Sequence, residues 1–173
     1  MPLRTIVVVP YDPRWADRYR GEGAALRALL GGELLALHHI GSTAIPGLAA
    51  KPIVDILAEV RAIETMDRLA GDMEAIGYRA MGEYGIPGRR FFVKGPDDAR
   101  ACHLHAFGAG HPRIADHLAF RDHLRGHPDE ASAYGRLKEE LARRFPHDID
   151  AYMAGKEPAI RELLRRAGAA DVP

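Results

Sequence analysis

The segment His39-Ile40-Gly41-Ser42-Thr43, followed after a short loop by Lys51-Pro52-Ile53-Val54-Asp55, holds the densest run of residues able to do chemistry. Gly41 lets the backbone approach a ligand closely. Ser42 and Thr43 bring hydroxyl and N–H donors that suit phosphate oxygens where a turn or helix opens. Lys51 is a point cation able to neutralise phosphate charge. Asp55 stands between apolar neighbours, and a carboxylate taken out of water costs roughly several kcal/mol unless a cation, a metal or hydrogen bonds offset it. The same residues also fit a tight Gly-Ser turn between strands, with Asp55 accepting backbone hydrogen bonds from a loop.

A second group is His103-Leu104-His105. Residues two apart on a strand point to one face, so both imidazoles project together. Such a pair can bind a transition metal, bind phosphate when protonated, shuttle protons, or lie partly exposed on a sheet. An imidazole-containing site favours Mn, Zn or Ni over Mg. Glu83, Arg89 and Arg90 surround the glycine-rich stretch 82–88. Arginine forks suit phosphate or carboxylate, and they equally suit a solvated loop in which Glu83 pairs with a neighbouring arginine. Arg121 either reaches the site or tethers a helix to the core. His111, His117, His123, His127 and His147 share no ligand spacing and read as surface residues. Cys102 points away from the histidine pair and reads as a buried thiol.

These groups need strands and helices to position them. Strands are expected over 6–9, 34–40, 53–60, 90–94 and 101–107, the last two joined by the turn Gly95-Pro96-Asp97-Asp98 as a hairpin. Asp12 and Pro13 suit the start of a helix whose apolar face is Trp15, Tyr19, Leu26, Leu29 and Leu30, stopped by Gly31-Gly32. A second helix follows Ile63, Met66, Leu69, Met73 and Ile76. From His111 onward the pattern is helical in three segments, with Pro158 expected to kink or restart the third. The tail from Ala169 to Pro173 is expected to fray. This order predicts one α+β domain over 1–173, with an α/β core (1–108) and a helical C-terminal part (109–173).

Composition limits the function classes. The 173 residues are 47% hydrophobic and 28% charged, which is globular. The 24 Lys and Arg balance the 24 Asp and Glu, so no global field collects nucleic acid or anionic lipid, and any phosphate must be held locally. One cysteine excludes an internal disulfide framework and a cysteine-based zinc site. No apolar stretch is long enough to span a bilayer, and the first ten residues lack a signal-peptide layout, so a cytoplasmic protein without nucleic-acid or membrane partners is expected.

Read together, the motifs resemble the GrpB family nearly end to end. The match includes Tyr11-Asp12-Pro13 with Trp15, His39 to Thr43, Pro46-Gly47-Leu48, Lys51 to Ile56, Gly77-Tyr78 and Gly88-Arg89-Arg90. It continues through His103-Leu104-His105, Phe120-Arg121-Asp122 with Leu124, Tyr134 with Leu137-Lys138, and Tyr152 with Lys156. The family is similar in fold to the nucleotidyltransferase superfamily, and some members are fused to dephospho-CoA kinase. The resemblance implies a nucleotidyltransferase-like mixed sheet flanked by helices with a helical C-terminal segment. It implies transfer of a nucleotidyl or related phosphoryl group to a small acceptor in a metal-dependent reaction. In the superfamily pattern a Gly-Ser turn precedes a strand with two acids spaced by one residue, and the carboxylates hold two divalent ions. Gly41-Ser42 matches the turn and Asp55 the first acid, but Leu57 occupies the second acidic position and cannot bind metal.

The reading carried forward makes Asp55 and Ser42 catalytic. His39, Gly41, Ser42, Thr43, Lys51, Arg89 and Arg90 hold a nucleotide or other phosphate, and Asp55, His103 and His105 hold one metal, Mn, Zn or Ni ahead of Mg. The alternative is an inactive module of the same fold that binds a nucleotide, CoA-like or other phosphate-bearing ligand.

Overall fold

A computed structural model describes residues 4–169. The elements run α1 (Arg14–Leu30), β1 (Leu34–Ile40), β2 (Val54–Val60), α2 (Glu64–Arg68), α3 (Ala70–Ala75) and β3 (Tyr78–Ala80). They continue with β4 (Arg89–Lys94), β5 (Cys102–Gly108), α4 (Pro112–Gly126), α5 (Pro128–Arg144) and α6 (Ile149–Arg166). The strands form one five-stranded sheet in the order β1-β2-β5-β4-β3. β2 and β5 are the parallel pair at its centre, and the other neighbours are antiparallel. The expected mixed sheet flanked by helices, with a helical C-terminal segment, is the observed architecture.

β2 is nearly continuously apolar because both of its faces are covered, the usual reading of a central parallel strand. Val54, Ile56, Ala58 and Val60 face one way with Cys102, Leu104, Ala106 and Phe92, and this face packs against Trp15, Leu26 and Leu30 of α1 and Met66 and Met73 of α2 and α3. On the opposite face, Leu57 joins Ile40, Phe107 and Ile114 of α4 in a second apolar cluster. Towards one end of the sheet the same face carries Asp55, His103 and His105. Between β4 and β5, Gly95 sits at φ +97° with its missing Cβ aimed 2.8 Å from the Ala99 carbonyl oxygen, so the hairpin closes only around glycine.

Three expectations need correction. Residues 6–9 do not extend the sheet. Only Val9 pairs, through a two-bond bridge to Ala50 at 2.9 and 3.0 Å, while the Ile6 side chain packs with Leu141, Ala142 and Tyr152 of the helical part. Tertiary packing overrides the β-branched composition there. The helix expected from Ile63 to Ile76 is broken at Leu69 into α2 and α3. Pro158 lies inside a continuous α6, because Tyr152 before it and Leu163 and Leu164 after it are anchored in apolar clusters or the core. The tail expected to fray falls, from residue 170 on, outside the described residues.

Asp12 stands just before α1, its Oδ1 accepting the Arg14 N–H at 2.9 Å, and Pro13 is the N-cap residue. Among the described residues no helix is long and apolar enough to cross a membrane.

Leu57 is fully buried, so a carboxylate at this position would be stranded among hydrocarbon. We expect Leu57→Asp to cost about 3–5 kcal/mol of stability, read as a lowered urea midpoint. A midpoint equal to that of the wild type would mean that the second acidic position remains open to solvent or ligand.

Candidate functional site

The parallel β2–β5 ladder sets Asp55 beside His103 and Leu57 beside His105. The carboxylate therefore sits between two imidazoles on one face, with His105 Nε2 at 3.0 Å and His103 Nδ1 at 3.4 Å from Asp55 Oδ1. Arg89 Nη1 lies 3.2 Å from the other ring nitrogen of His105. A guanidinium only donates, so His105 Nδ1 accepts, and its proton resides on Nε2, donated to Asp55. Burial alone would raise the Asp55 pKa, but hydrogen bonds and charge from the two histidines outweigh it and hold the carboxyl well below the usual range. Burial pushes His105 down against the pull of Asp55.

Gly41, at φ +70°, brings the preceding turn against this carboxylate. An added Cβ would lie 2.8 Å from Asp55 Oδ2, so the glycine serves both the backbone conformation and the close approach. Ser42 to Ala44 form a single helical turn. His39 Nε2 is 2.9 Å from Thr43 Oγ1, and the His39 ring stacks on Tyr19 at 4.9 Å.

A cavity of about 560 Å³ opens over Asp55, His103 and His105. Ser42, Thr43 and Lys51 line it from the turn and loop, Arg89 and Phe91 from β4, and Lys138, Tyr152 and Lys156 from the helical wall. The three lysines gather around tyrosine rings, with Lys51 and Lys156 Nζ at 5.4 and 4.8 Å from the Tyr152 centroid and Lys138 Nζ at 4.8 Å from that of Tyr134. Burial, then the charges of Lys156 and Lys51, press the Lys138 pKa down to about 7; burial, then Lys51, takes Lys156 to about 8. Lys138 Nζ, the Tyr152 hydroxyl and His103 Nε2 are buried without a hydrogen-bond partner among the described residues.

The structure thus brings together Ser42, Thr43, Lys51, Asp55, Arg89, His103 and His105, with Gly41 packed against Asp55. His39 and Arg90 do not belong to the group. His39 pairs in register with Ile56 and so lies on the opposite face of the sheet, where it braces Thr43. Arg90 points away from Arg89 by strand alternation and is held by Asp67 at 2.7 and 3.0 Å. Arg89 is inside, but its guanidinium is occupied by the carbonyls of Glu83 and Tyr84 and by His105, so it orients the histidine and clamps the glycine-rich loop.

His117, expected at the surface, packs its ring 5.4 Å from that of His105, and burial drives its pKa down to about 3. In the sequence Lys138 and Lys156 stand out only as parts of the family motif, and Tyr152 also as part of the apolar face of the third C-terminal helix, since helical spacing assigns a lysine no partner distant in the chain. Arg121 acts as a tether, its Nη1 donating to the His39 carbonyl at 3.3 Å.

A pair of divalent ions does not fit this donor set. Leu57 is hydrocarbon where a second carboxylate would stand. Among the described residues no three His, Cys, Asp or Glu side chains are arranged to hold an ion. The Nε2 proton of His105 is directed at the carboxylate that would share the metal.

A mixed sheet whose central parallel pair carries Asp-His-His under a lysine-bearing helical wall defines an α+β protein with a cavity lined by cationic side chains. The chain belongs to the GrpB protein family, whose model matches residues 5–166. It is 44% identical over 166 residues to the UPF0157 protein YqkA of Bacillus subtilis, covering 96% of this chain and 48% of that protein. It is 41% identical over 168 residues to the UPF0157 protein PA4798 of Pseudomonas aeruginosa, covering 95% and 69%. The chain thus spans about half the length of the first of these relatives. The crystal structure of the conserved protein GrpB from Enterococcus faecalis superposes with a TM-score of 0.86 at 42% identity, over 92% of this chain and 98% of that one.

The depressed histidines set an acid limit to stability. Folded pKa values of about 4 for His39 and 3 for His117, each caused chiefly by burial, lie below the unfolded value of about 6.5. The unfolded chain therefore binds more protons below that pH, and each histidine's contribution is present above about 6.5 and lost as pH falls towards the folded value. Between pH 7 and 5 each is expected to cost about 2 kcal/mol, measured by urea unfolding at the two pH values. His117→Gln should remove its share of the slope; an unchanged slope would show that His117 is free to protonate in the folded protein.

Proposed function

We propose that the cavity binds a phosphate-bearing small molecule, a nucleotide, CoA-like compound or other phosphate ester, and that the cationic wall takes the phosphate. One observation carries this reading: Lys51, Lys138 and Lys156 converge on one buried space, with the Lys138 ammonium and the Tyr152 hydroxyl left without partners. Burial first, and mutual repulsion after it, makes the lysine charges costly in this space, and the lowered pKa values of Lys138 and Lys156 follow from both. An anion of two or more charges relieves it and supplies acceptors for every orphaned donor. Ser42 lines the same space and adds a hydroxyl donor, while the Thr43 hydroxyl is engaged with His39.

A second reading, group transfer, is favoured by His103. Asp55 lies on the Nδ1 side of its ring, leaving Nε2 without a partner beside the cavity. In that reading His103 Nε2 takes the proton from an acceptor hydroxyl, Asp55 stabilises the resulting imidazolium, and the lysines hold the charge that develops on the departing phosphate. The reaction class is nucleotidyl or related phosphoryl transfer to a small acceptor. Occupation of Asp55, His103 and His105 by Mn, Zn or Ni requires His105 to surrender its present tautomer and Arg89 contact. The buried free thiol of Cys102 accords with a reducing, cytoplasmic setting.

Calorimetric titration of pyrophosphate and of nucleoside triphosphates tests the binding reading. A hydrogen bond to a charged group contributes about 1.5–3 kcal/mol, so Lys138→Met is expected to weaken binding by about ten- to a hundredfold. Binding near pH 8 should take up protons, seen by repeating the titration in buffers of different ionisation enthalpy, because a bound anion restores charge to Lys138 and Lys156. Affinity indifferent to Lys138→Met would remove the lysine wall from the site. Pyrophosphate release that Asp55→Asn and His103→Ala abolish, measured with chelator and with added Mn, decides whether transfer occurs and whether it needs a metal.

A further inference from the structure

A second cavity, of about 420 Å³, adjoins the first. The two share Arg4, Lys51, Ile53 and Arg100 in their walls, and the outer one adds Arg18 of α1 and residues 5–7. Its cations are as poorly matched as the lysines inside. Arg100 has a buried Nε without a partner among the described residues, and its Nη2 reaches only Asp97, at 3.2 Å. Asp97 is itself taken by Arg79 at 2.6 Å. Arg4 and Arg100 line both cavities, and burial first and the charge of Arg100 second press the Arg4 pKa down. In a chain whose formal charges cancel overall, Arg4, Arg18, Lys51 and Arg100 around one opening are a local concentration of positive charge, opposed in the cavity wall by Asp98.

We propose that the two cavities form one tract and that its outer half is a second anion subsite, so that the ligand carries two phosphate groups at opposite ends of a spacer. This rests on the inner cavity holding the first phosphate. The inner group lies against Lys138, Lys156 and Tyr152, the spacer crosses the threshold at Lys51 and Ile53, and the outer group meets Arg4, Arg18 and Arg100. Guanidinium forks suit a terminal phosphate dianion, whose oxygens accept two parallel hydrogen bonds. The apolar residues Val7 and Ile53 in the wall of the outer cavity suit the carbon skeleton between the two ends.

The experiment titrates α,ω-alkanediol bisphosphates of increasing chain length into the full chain, beside alkyl monophosphates of the same lengths. With both ends engaged, the second contact becomes intramolecular, and at the matching length the bisphosphate should bind at least about tenfold more tightly than its monophosphate. Arg18→Ala together with Arg100→Ala should erase that gain, read as the ratio of bisphosphate to monophosphate affinity on the same variant because Arg100 lines both cavities. Arg18→Ala alone, at an exposed helical position where alanine is well tolerated, should erase part of it. Arg161→Ala, which breaks a pair with Glu157 outside both cavities, should leave the gain intact, and so controls for general loss of positive charge. No advantage at any length, or an advantage that survives the double variant, would overturn the second subsite. Monophosphate binding that still depends on Lys138 would then leave the inner-cavity reading standing. Failure of monophosphate and bisphosphate alike to bind the wild-type protein would overturn both.

Discussion

The Asp55 carboxylate, held between His103 and His105 across the parallel β2–β5 ladder, is the interaction on which the site is built. Parallel pairing puts Asp55 and His103 side by side, and the two-residue repeat of β5 brings His105 to the same face. Everything adjacent adjusts to the charge. Gly41 lacks the Cβ that would strike the carboxylate, and Arg89 fixes the His105 tautomer that donates to it. A carboxylate so placed is stabilised as an anion by its neighbours. It therefore orders the two imidazoles on this face, His105 through a hydrogen bond and His103 through an ionic contact at 3.4 Å.

Opposite this anion stands a surplus of cations. Lys51, Lys138 and Lys156 feel Asp55 through space, but one carboxylate already shared by two histidines does not balance three ammonium groups. The tyrosine rings of Tyr134 and Tyr152 lend quadrupolar compensation of about 0.5–2 kcal/mol per contact, which is small beside the cost of burying a charge. The helical part thus carries strain that its own packing does not relieve, a local violation of the rule that buried polar groups find partners. Such violations concentrate where a ligand completes the structure.

Much of this was legible in the chain before any coordinates. The period of two placed His103 and His105 together, and the apolar run around Asp55 marked it as a carboxylate needing partners. Both signals are local and arise from strand geometry. The same alternation misled where register was unknown. His39 precedes Gly41-Ser42 in sequence, yet pairing with Ile56 turns it to the far face, and Arg90 falls away because Arg89 takes the near one. Lys138 and Lys156 were invisible as a site for a different reason. They lie on α5 and α6 at positions where a helical pattern predicts only burial or exposure, and their convergence on Lys51 depends on how α5 and α6 pack against the loop that follows Ser42. His117 was misread likewise, since its burial is set by α4 lying over His105.

Leu57 connects the electrostatics to the fold. In a sheet that uses two divalent ions, the second carboxylate and the metals would fill the space beside Asp55. Here Leu57, Ile40, Phe107 and Ile114 fill the neighbouring space with hydrocarbon, and α4 docks on it. That docking carries His117 to His105 and Arg121 to the β1 backbone. Positive charge then enters from the other side of the cavity, as lysines on α5 and α6. The two features are coupled: the apolar plug leaves no second carboxylate beside Asp55 on the sheet, so the lysines of α5 and α6 face one strand-borne acid across the cavity. Helical covering and cationic wall are therefore two consequences of the same packing, and a change at either should be felt at the other.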